Sequence, residues 1–197
     1  MYLFLDFETT GFPNGQLDPR HKDQARIVQV GLILTDPQLF PVYQWERLVQ
    51  IEDGEMHEGA ERIHGISKQF ANVHGKPPRQ VFEALSHLIN GYGASHLIGH
   101  NLKFELAMLD LLAKQVGGEF TLSTLTPHCT MEIGTPFCGL LKNNGQPKPP
   151  KLMELFHKCF PGRPNPFFHS ALADARTAME CYGKLIAEGL VKRIPGN

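Results

Sequence analysis

The first quarter of the chain is written in short apolar runs, at Tyr2–Phe7, Ile27–Leu34 and Val42–Ile51. The third alternates Val42, Gln44, Glu46 and Leu48 against Tyr43, Trp45, Arg47 and Val49, the period of two that a strand with one buried face requires. Three meandering strands are predicted. Further on the period lengthens. Val81, Phe82, Leu85, Leu88 and Ile89 form one helical stripe, Phe104, Met108, Leu111 and Leu112 a second, and Tyr182, Leu185 and Ile186 part of a third. Short strand-like runs at His96–Gly99 and Thr126–Met131 fall between the helices, and a helix over Lys151–Phe160 precedes the last one. Strands that alternate with helices imply parallel additions to an initially antiparallel sheet covered on both faces. The expectation is an α/β protein, a mixed five-stranded sheet with helices on both faces. With no internal repeat or linker, residues 1–197 read as one domain, and Asn143–Pro150 as a loop on the functional side.

Against this pattern certain polar residues stand out. Asp6 and Glu8 share one face of the first strand, where each charge loses hydration and a divalent cation is the usual compensation. A D-x-E at a strand end also fits a solvated terminus. Glu105 lies in the first turn of a helix for which Asn101 is a plausible N-cap, where the helix dipole favours an anion; an ordinary exposed charge fits there too. Asp174 projects from the last helix. His169 leads it by five residues, behind the loop Pro161-Gly162-Arg163-Pro164-Asn165-Pro166, and flanking Pro and Gly suit a histidine that moves on and off a site.

Together these segments resemble the three motifs of the DnaQ-like 3′→5′ exonucleases of the histidine (DEDDh) subtype. Asp6-Phe7-Glu8-Thr9-Thr10-Gly11 matches D-x-E-[TM]-T-G, His100-Asn101-Leu102-Lys103-Phe104-Glu105 the second motif, His169 to Asp174 the H-x-x-x-x-D third, and Ile63-His64-Gly65-Ile66-Ser67 the I-H-G-I-[ST] signature. One position departs from the pattern, since Glu105 stands where the family usually has aspartate.

The resemblance implies a ribonuclease H-like fold and hydrolysis of DNA or RNA from 3′ ends to nucleoside 5′-monophosphates. It implies two Mg²⁺ or Mn²⁺ ions, roughly 3.5–4 Å apart in such sites, held by Asp6, Glu8, Glu105 and Asp174 with Asp6 bridging. His169 is implied as the general base, a role suited to a side chain that titrates near neutrality. Thr9, Thr10, Gly11, Phe12, Ile63, His64, Asn101 and Phe104 are implied to hold the terminal nucleotide. Core packing remains an alternative for Ile63 and His64. A catalytically weak relative that binds ends without turnover is the competing reading, motivated by Glu105.

Composition narrows the setting. With 197 residues, 42% of them hydrophobic, the chain needs no staples. The four cysteines show no C-x-x-C spacing and read as reduced thiols of a cytoplasmic protein; ten histidines leave a zinc site formally possible, but no ligand spacing recurs. Asp6 and Glu8 interrupt the N-terminal apolar run, which is too short for a signal peptide or membrane span. A net charge of −1 argues against broad coating of duplexes. The expected partner is single-stranded nucleic acid or the 3′ end of a duplex, in proofreading, repair or RNA trimming. The third-motif helix lies close to the C-terminus, so stand-alone action is preferred over docking to a polymerase or repair complex. Lys142, Lys148, Lys151 and Arg163 either guide a strand or simply solvate a loop.

Overall fold

The computed structural model describes residues 1–166 and 169–194. Five strands, β1 (Tyr2–Thr9), β2 (Ile27–Thr35), β3 (Pro41–Leu48), β4 (His96–Gly99) and β5 (Thr126–Cys129), form a single sheet in the order β3-β2-β1-β4-β5. β1, β2 and β3 pair antiparallel, whereas β4 and β5 add parallel to β1 and to each other. The mixed α/β sheet expected from the sequence is therefore present, with two boundaries corrected. β3 ends at Leu48 rather than Ile51. Val49 and Ile51 stay fully buried, the first bridging to Lys76 and the second packing with Val28, Ile66 and Ala71, so the apolar pattern outlives the strand. β5 stops at Cys129, and Thr130 opens a helix.

Seven helices complete the described chain: α1 (Glu58–His64), α2 (Lys68–His74), α3 (Pro78–Gly91), α4 (Leu102–Val116), α5 (Thr130–Cys138), α6 (Leu152–Cys159) and α7 (Ala171–Ala187). None of the described helices is long and apolar enough to cross a membrane.

The period of β1 sorts its side chains between two layers. Leu3, Leu5 and Phe7 point into the larger core, built with Val30, Leu32 and Leu34 of β2 and with α3 and α4. Tyr2 and Phe4 point the other way, against Ile33, Ile98, Ala175 and Tyr182. Asp6 and Glu8 continue that second face toward the strand's end. α7 crosses the same face, and its approach depends on Gly31, the residue paired with Asp6. A β-carbon at Gly31 would collide with the backbone of Ala171 and Leu172. The missing side chain lets the first turn of α7 lie directly on the sheet beside the two acids.

Candidate active site

Three elements bring the sequence-singled carboxylates together. Carboxylate oxygens of Asp6, Glu8 and Asp174 lie within 4.8 Å of one another, in the arrangement of a metal-ligand group. Asp174 arrives on the first turn of α7. Glu105 comes from the opposite layer: α4 starts just beyond β4, and Gly99 leaves room for the side chain, since a β-carbon there would press within 3.3 Å of Glu105 Cγ. Only 3% of Glu105 is exposed, so it is no ordinary surface charge. Asn101 does precede the helix, in a left-handed conformation and without a side-chain cap bond.

The crowding shows in the acidities. Burial, followed by Glu105, Asp174 and Glu8, holds the Asp6 carboxyl well above the usual range. Burial and then Glu8 do the same to Glu105, against a bond from the Phe7 backbone that favours its charged form. Glu8 is pushed up to about 7 by burial and by Asp174. Asp174 rises to about 6 through burial, opposed by the His169 backbone N–H and the His169 charge. Among the described residues, Glu105 Oε2 and Asp174 Oδ1 are buried with no hydrogen-bond partner. Four clustered carboxylates with orphaned oxygens and raised affinity for positive charge fit hard divalent cations with oxygen preference. No other such group of three or more His, Cys, Asp or Glu side chains occurs among the described residues.

His169 sits at the edge of this cluster. It is exposed and left-handed (φ 70°), its backbone N–H donates to Asp174 Oδ2 at 3.3 Å, and its charge reaches both Asp174 and His64. His64 is fixed as a neutral ring: Nδ1 accepts from Ile66 N–H at 3.0 Å, leaving the Nε2 hydrogen for the Thr9 carbonyl at 3.3 Å. Burial, chiefly, lowers its pKa.

A cleft of about 660 Å³ opens beside Glu8. One wall comes from the end of β1 and the following turn, with Phe7, Thr9, Gly11 and Phe12; Phe104 stands behind, edge-on to Phe12 at 5.9 Å. The facing wall is α1, with Ile63 and His64. Ile63 is 59% exposed, which rules out core packing, and Phe12 is 84% exposed. Two of the eight residues expected at the nucleotide lie elsewhere. Thr10 is fully buried, its hydroxyl accepting from Arg26 N–H at 2.9 Å, and Asn101 serves the turn into α4. His57, Gly59 and Ala60 also line the cleft, with the His57 ring lying over Gly11, and sequence reasoning passed over them. Their signal was the spacing of Ala60, Ile63 and His64 at i, i+3 and i+4, one face of a short helix.

Other candidates settle into structural roles. His100 of the second motif is pushed down to about 4 by burial and ties the Thr130 hydroxyl (3.0 Å) to the Pro150 carbonyl (3.1 Å). It anchors the Asn143–Pro150 loop to the functional end of β4. Lys148 pairs with Glu154 and Arg163 with Glu180, so half of the basic cluster is already engaged. The four cysteines are free thiols.

Residues 3–182 match the RNase T exonuclease family, and the chain belongs to this DnaQ-like family of exonucleases. The fold is that of exonuclease I. It superposes on E. coli exonuclease I in complex with a dT13 oligonucleotide with a TM-score of 0.75 at 17% identity, over 93% of this chain and 40% of that one. For the zinc-bound form of the E. coli exonuclease I complex with single-stranded DNA the TM-score is 0.74 at 18% identity, over 95% and 40%. For a moderately thermophilic exonuclease I from Methylocaldum szegediense it is 0.70 at 19%, over 94% and 40%. The chain thus spans about two-fifths of the length of these relatives. A sequence search of curated proteins finds no match.

Proposed function

We propose that this domain is a divalent-metal-dependent 3′→5′ exonuclease that releases nucleoside 5′-monophosphates from single-stranded ends. The observation that carries the reading is the cluster of Asp6, Glu8, Asp174 and buried Glu105, with its two orphaned oxygens, at the mouth of an apolar cleft. Those four side chains would hold the cations. Bound there, Mg²⁺ or Mn²⁺ would polarise the scissile phosphate and make water nucleophilic near neutral pH. The cleft suits the last base of a strand: Phe12 and Phe104 offer ring surface for stacking and Ile63 an apolar wall opposite. Thr9 and Gly11 line the path from the cleft to Glu8 and fix the reach of the terminal sugar. His169, beside Asp174 and open to solvent, accepts the proton of the attacking water on its imidazole. Single-stranded DNA, as held by the exonuclease I relatives, is the first substrate to try.

The test is digestion of 5′-labelled oligodeoxy- and oligoribonucleotides with Mg²⁺, with Mn²⁺ and with chelator. A ladder shrinking one nucleotide at a time from the 3′ end, only when metal is present, supports the reading. Internal cuts, loss of the 5′ label as mononucleotide, or chelator-resistant activity overturns it.

A further inference from the structure

The start of α7 is held by side chains of the sheet as well as by its own Asp174, which accepts from the His169 N–H. Ser170 occupies the N-cap position, yet its hydroxyl makes no cap bond. It donates instead to Glu46 Oε1 of β3 at 2.7 Å. The helix's first N–H, that of Ala171, is taken by Gln29 Oε1 of β2 at 3.0 Å. One turn on, Arg176 donates to Gln44 of β3 at 2.5 Å.

These partners follow the rows of the sheet. Asp6 pairs with Gly31 and Gly31 with Glu46; one step along, Glu8 pairs with Gln29. The face that carries two of the acids therefore also carries the gap that admits α7 and the acceptors that hold its end. His169 directly precedes Ser170 in a left-handed conformation, which a β-carbon disfavours and which persists only where the surroundings impose it. Ser170, the next residue, carries a side-chain anchor to the sheet.

We propose that Glu46 is a positioning residue for His169, acting through the Ser170 hydroxyl, with Gln29 holding the adjoining end of α7. The proposal rests on the exonuclease reading. Glu46 stands outside the carboxylate group; it fixes the peptide from which the His169 imidazole swings, and a small misplacement of a proton acceptor costs rate far more than binding.

The experiment compares Glu46→Leu, Glu46→Gln and His169→Ala, singly and as the double variant Glu46→Leu with His169→Ala, by steady-state release of nucleotides from an oligonucleotide at saturating Mg²⁺, alongside thermal melting. Glu46→Leu is expected to lower kcat about 10- to 100-fold with KM little changed. Glu46→Gln, which still accepts from Ser170, recovers most of it. In the His169→Ala background Glu46→Leu adds almost nothing, because the group it positions is gone. A purely structural residue would instead lower the melting temperature, leave the folded fraction's kcat intact and add its effect to that of His169→Ala. Either full activity in folded Glu46→Leu or additivity in the double variant overturns the proposal while wild-type exonuclease activity stands. An inactive wild-type chain sinks the exonuclease reading itself, and the proposal with it.

Discussion

Glu105 is longer by one methylene than the family's usual residue, and it is also the most enclosed of the four acids, buried where Asp6, Glu8 and Asp174 are half-buried. Its Oε2 has no donor among the described residues, so a cation there would favour its charged form alongside the Phe7 backbone bond. Glu105→Gln keeps the shape and removes the charge; the expected outcome is a loss of at least about 100-fold in Mg²⁺-dependent rate, comparable to removing one preorganised electrostatic partner. Glu105→Asp keeps the charge and retracts it, so rate falls partly and more Mg²⁺ is needed for half-maximal activity. Metal titrations of the two variants check both statements. For His169→Ala a fall of about 10²–10⁴ is expected with the melting temperature unchanged, because an exposed loop side chain contributes little packing. That Glu105 sits in a first helical turn was legible from local charge and apolar spacing. That it is buried against Asp6 and Glu8 was not, because this follows from the pairing of β1 with β4, 90-odd residues apart, and from the space at Gly99.

Among the elements, α7 is the one whose placement makes the site. Gly31→Ala would drive a methyl group into the Ala171–Leu172 backbone, which no rotamer can avoid. A destabilisation of about 1–3 kcal/mol is expected from such overpacking, read as a lower urea midpoint, with activity falling further than the folded fraction because Asp174 and His169 move with the helix. Activity proportional to folded protein would show that α7 tolerates the shift. Long periodic segments such as β1, β2, α3, α4 and α7 were readable because each repeats its pattern over eight or more residues. The seven-residue helices α1 and α2 were not, since two turns scarcely establish a period, and α1 has no buried residue. α1 nevertheless supplies one wall of the cleft. Motif matching recovered Ile63 and His64 there but gave no access to His57, Gly59 and Ala60, whose contribution is the shape of a helix face. Motif matching likewise placed Thr10 at the substrate, although its hydroxyl is committed to Arg26.

At the scale of the molecule, four carboxyls held above their ordinary pKa make stability depend on pH and on metal together. Raised pKa values mean that the native state binds more protons than the unfolded chain between the ordinary carboxylate range and the raised values. Stability without metal is therefore greatest in mild acid and declines as pH climbs through about 6 and about 7, where Asp174 and Glu8 lose their protons. Melting of chelator-treated protein from pH 5 to pH 8 should show this fall. Adding Mg²⁺ or Mn²⁺ at pH 8 should reverse it, since a ligand that binds only the native state stabilises it by mass action. A metal-free melting temperature that is flat across this range would mean that the acids are better solvated than their packing suggests. The same clustering bears on how the chain finds its fold. Tyr2, Phe4, Asp6 and Glu8 share one face of β1 while Leu3, Leu5 and Phe7 share the other, so sliding the strand by one residue against β2 would drive both acids into the hydrocarbon layer beneath α3 and α4. Burying even one unpaired carboxylate there is far costlier than any apolar mismatch. The acids thus act as a proofreading device on the folding chain itself: a mispaired sheet is rejected by the very groups that the correctly paired sheet gathers beside the first turn of α7.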